Sequence, residues 1–474
     1  NRGQLFDQFV KVLLGRERLV NKETGAVTTE GQALLTGLQR VAYEMQIRRA
    51  GTADDGAASA GTALDVAAVR GILNERLLYL AVSTSILTSG DEVRFSHQLL
   101  QEYVAARYMD GEIRAGRLKA ADIWKPDNWW ERTNWEEAVI LLAGLYSDDC
   151  TPVLDWLADA NPKVAVQCIL RSGAHTPDVT KTHLRDRWLS RLTDLQRDPQ
   201  PQARAAVGRA LASFQIDGRM ADNRKGLSLR DDGLPDLDWV EIPTGEFIYG
   251  EDETEKKSKL PRFYITRYLV TYEQFGAFLA TADGFYNPQW WEGLAADDDH
   301  KEQPGEQRFK VGNHPRENVS WYDVVAFTRW LSAKLGYEVT LPTEQQYERA
   351  ARWTDGREYP WGTDYVSGNA NIDETHRNAG MYYLQETSTA GVYPQGASVE
   401  GIHDLSGNVW EWCLNERFNP ERTGLEGSES RVLRGGSWLG NQLSARAVYR
   451  IDSNPVARSV HAGFRLVCSS PIVT

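Results

Sequence analysis

Cysteine is scarce in this sequence and carries no pattern. Cys150, Cys168, Cys413 and Cys468 stand far apart without CxxC spacing, which excludes a disulfide framework and makes a reducing cytoplasm the simpler expectation. Long apolar runs are also missing. The strongest, Ala138 to Leu145, is far too short to cross a bilayer, so no membrane span is expected. Basic residues are outnumbered: 66 Asp and Glu against 53 Lys and Arg give a net charge of −13, which argues against a general nucleic-acid or anionic-membrane surface. No Gly-x-x-x-x-Gly-Lys-Ser/Thr loop occurs, so a phosphate cradle of that type is excluded. No signal-peptide pattern opens the chain. It begins at Asn1 inside a helical pattern, and a fragment of a longer protein is expected.

What is present is ordinary in bulk and unusual in detail. At 474 residues, 41% hydrophobic and 25% charged, the chain is long enough for two or more domains with cores of their own. Of its 16 tryptophans, ten lie at or beyond Trp239, which points to an aromatic-packed, loop-rich C-terminal domain.

Residues 1–110 read as helical. Leu5, Phe6, Phe9, Val10, Leu13 and Leu14 recur at helical spacing, and Gly51 to Gly61 reads as a flexible loop of small residues. In Phe95 to Tyr108, Leu99, Leu100, Tyr103, Val104 and Tyr108 line one helix face, with Ala105 and Ala106 permitting close packing. His97, at the helix start, reads as a capping or core residue rather than a catalyst. Residues 111–217 continue as helices broken by prolines. Asp198 to Phe214 looks like one helix of a HEAT-type repeat, with arginines opposite its apolar stripe. The polar, Gly-containing stretch 218–236 reads as a linker to a domain over 237–470.

In that last region several motifs follow in order. Trp239 to Gly250 and Phe263 to Thr271 alternate like strands, with a helix starting at Tyr272. His314 to Trp321 leads into another helix. Leu341 to Arg352 offers Thr343 as a helix N-cap. Tyr359-Pro-Trp-Gly362, Gly407-Asn-Val-Trp-Glu-Trp412 and Arg431-Val-Leu-Arg-Gly-Gly-Ser-Trp438 complete the series. This series resembles the formylglycine-generating-enzyme (sulfatase-modifying factor) family, a branch of the C-type lectin fold. The resemblance implies an α+β chain: an N-terminal all-α helical region followed by a C-type-lectin-like domain. The stretch Phe95 to Tyr108 resembles the helical tail of NACHT-type signalling ATPases, which implies an upstream ATPase module in the same polypeptide.

Arg431 to Arg465 further resembles the variable region of diversity-generating retroelement proteins. Gly435, Gly436, Trp438, Tyr449, Arg450, Arg458 and Gly463-Phe464-Arg465 read as fixed anchors. Between them lie thirteen residues that follow neither the strand nor the helix period: Leu439, Gly440, Leu443, Ser444, Val448, Ile451, Asp452, Ser453, Val456, Ala457, Ser459, Val460 and His461. In such systems adenines of asparagine codons are randomised, a process that cannot produce Lys, Glu, Gln, Met or Trp. In Leu439 to His461 only Gln442 falls outside the reachable set, and it reads as fixed. The implied function is ligand binding by a diversified surface, with a protein or other macromolecule as partner. An ordinary polar loop with core aliphatics is the alternative.

Family members that make formylglycine hold copper between two cysteines. Those positions fall on Gly440 and Ala445, so no copper is expected and the chain is expected not to be an enzyme. A related branch holds iron through paired histidines, and the eight histidines here include no pair at helical i, i+3 or i, i+4 spacing. The other functional reading is a formylglycine-generating or related oxidase. For calcium, Asp404 and Glu411 offer carboxylates while Gly407 and Val409 offer carbonyls. The same stretch also reads as a structural turn with Glu411 in a salt bridge. A second family calcium position would begin at Asn371 and Ile372, where the acidic partner aligns with Leu384.

Overall fold

The computed structural model describes residues 1–51 and 62–471, and its chain forms two compact units, Asn1–Arg187 and Trp188–Thr474. Gly51 closes the helix Thr29–Gly51, and the remainder of the small-residue stretch lies outside the described residues.

The first unit is built on helices. Glu136–Leu145 is its most buried element, with Ala138 through Gly144 all inside. Gln98–Arg114 is buried along Leu100 to Ala106, while Leu99 is 46% exposed, so the expected stripe loses its first member. His97 occupies the N-cap position of that helix, is exposed, and makes no side-chain capping bond. The all-α expectation needs correction. Ala63–Asp65, Leu87–Ser89 and Glu92–Phe95 form a three-stranded antiparallel sheet with the last strand in the centre. Glu-Val-Arg-Phe alternates exposed and buried positions as a strand must, in a run too short to stand out beside long helical periods.

The second unit begins upstream of the expected domain start. The helix Pro201–Ala212 is integral to it rather than part of a separate adaptor. Arg204, expected on a solvent face, is buried and donates from Nε to the Val392 carbonyl at 2.8 Å. Gly208 lies so close to Thr389 that a Cβ would collide with it. A lone amphipathic helix has to bury its stripe somewhere, and here the C-terminal core receives it. Residues 218–236 are likewise a strap and not a linker. Thr271 Oγ1 donates to the Leu227 carbonyl at 2.8 Å, Gln274 Nε2 donates to the Asp236 carbonyl at 2.5 Å, and Asp222 is fully buried against Arg224 and Asn313. Polar composition suggests a linker, but these polar groups are spent on internal hydrogen bonds.

The sheets of this unit are short. One has the strand order Arg450–Ser453, Arg431–Arg434, Trp410–Glu416, Ala462–Gly463, antiparallel except for its last pair. Another orders Val467–Cys468, Phe263–Thr266, Trp239–Ile242. Gly245–Tyr249 and Lys256–Leu260 make a hairpin. The helices Tyr272–Ala280, Trp321–Leu335 and Glu344–Arg352 each open with a capping box, from Thr271, Ser320 and Thr343. Between the helices and the four-stranded sheet lies a core centred on Trp321, Trp330, Trp412, Phe278, Phe327 and Phe464.

Candidate functional site

The site grows out of the strand Arg431–Arg434. Arg434 is fully buried and donates to Glu348 Oε2 at 2.6 Å, to Glu344 Oε2 at 3.5 Å and to the Ala447 carbonyl at 2.7 Å. Arg352 closes on the same Glu348 and Arg450 on the same Glu344. This guanidinium–carboxylate ladder fixes the helix Glu344–Arg352 beneath two strands. Gly435 and Gly436 then turn the chain at φ +94° and +78°. A Cβ at Gly435 would meet the Tyr347 hydroxyl, and one at Gly436 would lie 2.9 Å from the Ser444 carbonyl oxygen.

Trp438 lands in a pocket of its own. Its N–H donates to the Asn408 carbonyl at 3.0 Å, its indole Nε1 to the Val460 carbonyl at 3.3 Å, and the Phe309 ring meets it edge-on at 5.5 Å. From there the loop alternates anchors and free positions. Ala445 is buried with Tyr359, Ala370 and Ile372. Arg458 grips Asp323 with two bonds of 2.8 and 2.7 Å. Phe464 is in the core.

Of the thirteen candidate variable residues, Leu439, Leu443, Asp452 and Val456 are exposed. Gly440, Ser444, Ile451, Ser453, Ala457, Ser459, Val460 and His461 are half-buried. Val448 departs from the set at 5% exposure. It follows Ala447, whose N–H is held by the Glu358 carbonyl and whose carbonyl is held by Arg434, so the chain is drawn inward there. Nor do all thirteen share one face. Ile451 pairs with Leu433 and packs on the main core, while Asp452 pairs with Val432 on the other side and reaches Arg417 at 3.5 Å. Alternation along a strand separates those two side chains. Val460 is brought to the start of the loop, where its carbonyl accepts the Trp438 indole N–H next to Leu439 in the chain.

The calcium set does not fit an ion. Both Glu411 oxygens are taken by Arg465, Nε to Oε2 at 2.6 Å and Nη2 to Oε1 at 2.8 Å, with Tyr347 Oη at 3.3 Å. Asp404 Oδ2 accepts the Gly391 N–H at 2.8 Å. Burial raises the pKa of both carboxyls above the usual range. The Gly407 N–H is directed to the Gly435 carbonyl at 2.7 Å, and Val409 is buried in the turn. The structural alternative, a turn with Glu411 in a salt bridge, describes this stretch. At the second position Asn371 is buried with Nδ2 on the Glu386 carbonyl, and Leu384 is half-buried. Among the described residues no group of three or more His, Cys, Asp and Glu side chains could hold a metal ion. Cys413 and Cys468 are buried, and burial pushes the Cys468 thiol up to about 12.

Sequence reasoning missed Arg308 and Phe309. Arg308 places its guanidinium 5.2 Å from the Phe309 ring centroid and 5.8 Å from that of Trp438. No motif marks them, because the contact joins segments remote in sequence.

The sulfatase-modifying factor enzyme 1-like domain matches residues 231–470. A hercynine oxygenase of Mycolicibacterium smegmatis is 28% identical over 272 residues, covering 48% of this chain and 60% of that protein. A formylglycine-generating enzyme of Thermomonospora curvata is 27% identical over 286 residues, covering 48% and 91%. Among solved structures, Treponema denticola variable protein 1 aligns at 21% identity and a TM-score of 0.38, covering 49% and 95%. The named relatives are enzymes, and this overturns the non-enzyme expectation drawn from Gly440 and Ala445. A missing pair of thiols removes one metal chemistry, not every activity of a family. Among the described residues no helix is long and apolar enough to cross a membrane.

Proposed function

The chain belongs to the sulfatase-modifying factor enzyme 1-like domain family, and within that family we propose that its C-terminal domain is a ligand-binding variable domain. The observation that carries the reading is the contrast along one loop: Trp438, Ala445, Ala447 and Phe464 are buried, while every candidate variable residue but Val448 stays at least partly open to solvent. A diversified position must accept many side chains, and only solvent-facing positions do so within about 0.5 kcal/mol. A rigid base beneath them loses less entropy when ligand binds. The apolar members Leu439, Leu443 and Val456, set among Gly440, Ser444, Ser459 and His461, suit a protein ligand. Ile451, Asp452 and Ser453 lie on an edge strand and serve as a flank.

Two measurements test this. Randomising Leu439, Gly440, Leu443, Ser444, Val456, Ala457, Ser459, Val460 and His461 in a displayed library should leave most clones folded, and general unfolding would overturn the reading. Diversification itself requires a second copy of the coding stretch for Arg431 to Arg465, differing at adenines and lying near a reverse transcriptase gene. In this reading the N-terminal helices relay binding to a nucleotide-binding module of the same polypeptide. The coding sequence upstream of Asn1 should then contain a Walker loop.

A further inference from the structure

Four half-buried arginines within and beside the candidate variable loop have carboxylate partners. Arg446 meets Glu251 and Glu358, Arg450 meets Glu344, Arg458 meets Asp323, and Arg417 meets Asp452. Two neighbours break the pattern. Arg308 and Arg377 are exposed, and among the described residues neither guanidinium has a carboxylate within ion-pair distance.

Arg308 is held in place by its backbone. Glu317 accepts the N–H groups of Arg308 and Phe309, and the buried Gln307 donates to the Phe309 and Pro315 carbonyls at 3.2 and 3.1 Å. Its guanidinium therefore stands over the Phe309 and Trp438 rings at the foot of Leu439. At the next residue of the loop, the Asp373 N–H donates to the Gly440 carbonyl at 2.8 Å. The Asp373 carboxylate is turned to its own loop, accepting the N–H groups of Thr375 and His376 at 3.0 and 3.2 Å. His376 and Arg377 follow it into solvent, and Met381 is 75% exposed. Both segments therefore border the turn from Trp438 to Gly440, Arg308 over the indole and Asp373 on the Gly440 carbonyl.

We propose that Arg308, Phe309, His376, Arg377 and Met381 form a non-variable wall of the ligand site, and that the ligand is a protein presenting carboxylate side chains beside an apolar anchor. This rests on the ligand-binding reading above. Charge complementarity selects the partner. In a chain of net charge −13, the Arg308 guanidinium over two aromatic rings, with exposed Arg377 and Met381 in the segment that follows Asp373, makes a local basic and apolar rim. Arginine on an aromatic face keeps its fork free for a carboxylate. Rim charges of this kind steer association and lose force with salt.

The probe is a random peptide library displayed on phage and selected on the full chain. Selected peptides should be enriched in Asp and Glu next to apolar residues. Their affinity should fall with added salt and by about tenfold for the Arg308→Ala/Arg377→Ala double variant, as two exposed charge contacts allow. Arg308→Lys/Arg377→Lys should recover most of it, and thermal unfolding of each variant checks that the fold is intact. Peptides without an acidic excess, or equal binding by the double alanine variant, overturn the wall while leaving the ligand face standing. Peptides that still bind Leu439→Asp/Val456→Asp overturn the ligand-face reading itself. Failure to select any peptide counts against both.

Discussion

Arg465 and Glu411 form a two-bonded ion pair in which neither side chain has measurable exposure, Nε to Oε2 at 2.6 Å and Nη2 to Oε1 at 2.8 Å. The guanidinium also donates to the Thr266 and His403 carbonyls at 3.2 and 2.9 Å, so one side chain links the strand Trp410–Glu416 to a second sheet and to the turn before Asp404. Arg465→Met leaves a buried carboxylate without its partner and should cost about 3 to 5 kcal/mol in denaturant unfolding. Glu411→Leu/Arg465→Met should cost less than Arg465→Met alone, because no stranded charge remains. Equal losses would mean that the pair is not the source.

Since that pair consumes both Glu411 oxygens, added calcium should leave the unfolding midpoint unchanged. A ligand that binds only the native state raises stability with its concentration. A midpoint climbing steadily with calcium would show that Arg465 gives way to the ion.

Exposure sorts the candidate variable residues into those that tolerate change and one that does not. Leu439→Ser, Leu443→Ser and Val456→Ser should each shift stability by no more than about 0.5 kcal/mol. Val448→Asp should cost several times that, because an unpaired charge would enter a site that is 5% exposed. Trp438→Ala should cost about 3 to 5 kcal/mol through the cavity it leaves. Chemical denaturation of the purified variants reads all five.

Local features of the C-terminal unit are legible in its sequence where they follow from short patterns. Thr343 reads as an N-cap and makes the capping box with Gln346. Gly435 and Gly436 read as a tight turn and adopt positive φ. Long-range consequences are not legible. Nothing local tells that Val448 is pulled in by Glu358 and Arg434, or that Phe309 reaches Trp438. The Asp404 to Glu411 stretch reads equally as an ion site or a salt-bridged turn, because the partner that decides, Arg465, lies 54 residues beyond Glu411. Composition misleads at 218–236, where backbone carbonyls are held by Thr271 and Gln274 and Asp222 is buried, contacts that polarity alone does not announce.

The double-glycine turn sets a stricter test. Gly435 sits at φ +94° with the Tyr347 hydroxyl where a Cβ would be. That hydroxyl donates to the Leu405 carbonyl at 2.9 Å, so it is not free to swing away. Gly435→Ala should therefore cost more than the roughly 1 kcal/mol of backbone strain alone. Tyr347→Phe should recover part of the loss by removing the clashing oxygen, and a double-mutant cycle on unfolding free energy measures the coupling.

His403 gives the chain a pH-dependent element outside the candidate ligand face. Its ring stacks on Tyr268 at 5.3 Å and its Nδ1 has no hydrogen-bond partner among the described residues. Burial, followed by the charges of Arg267, Arg224 and Arg465, pushes its pKa from 6.5 down to about 4. Between those values the unfolded chain binds a proton that the native state refuses, so stability falls as pH drops. The contribution is fully present above pH 6.5 and is lost as pH falls through about 4. Integrated over that window it amounts to at most about 3 kcal/mol. His403→Phe keeps the stack on Tyr268 and removes the proton site. Unfolding free energies from pH 7 to pH 4 should then fall less steeply for this variant than for the parent, with the two curves diverging below about pH 6.5. Parallel curves would place the acid sensitivity on the buried carboxylates instead.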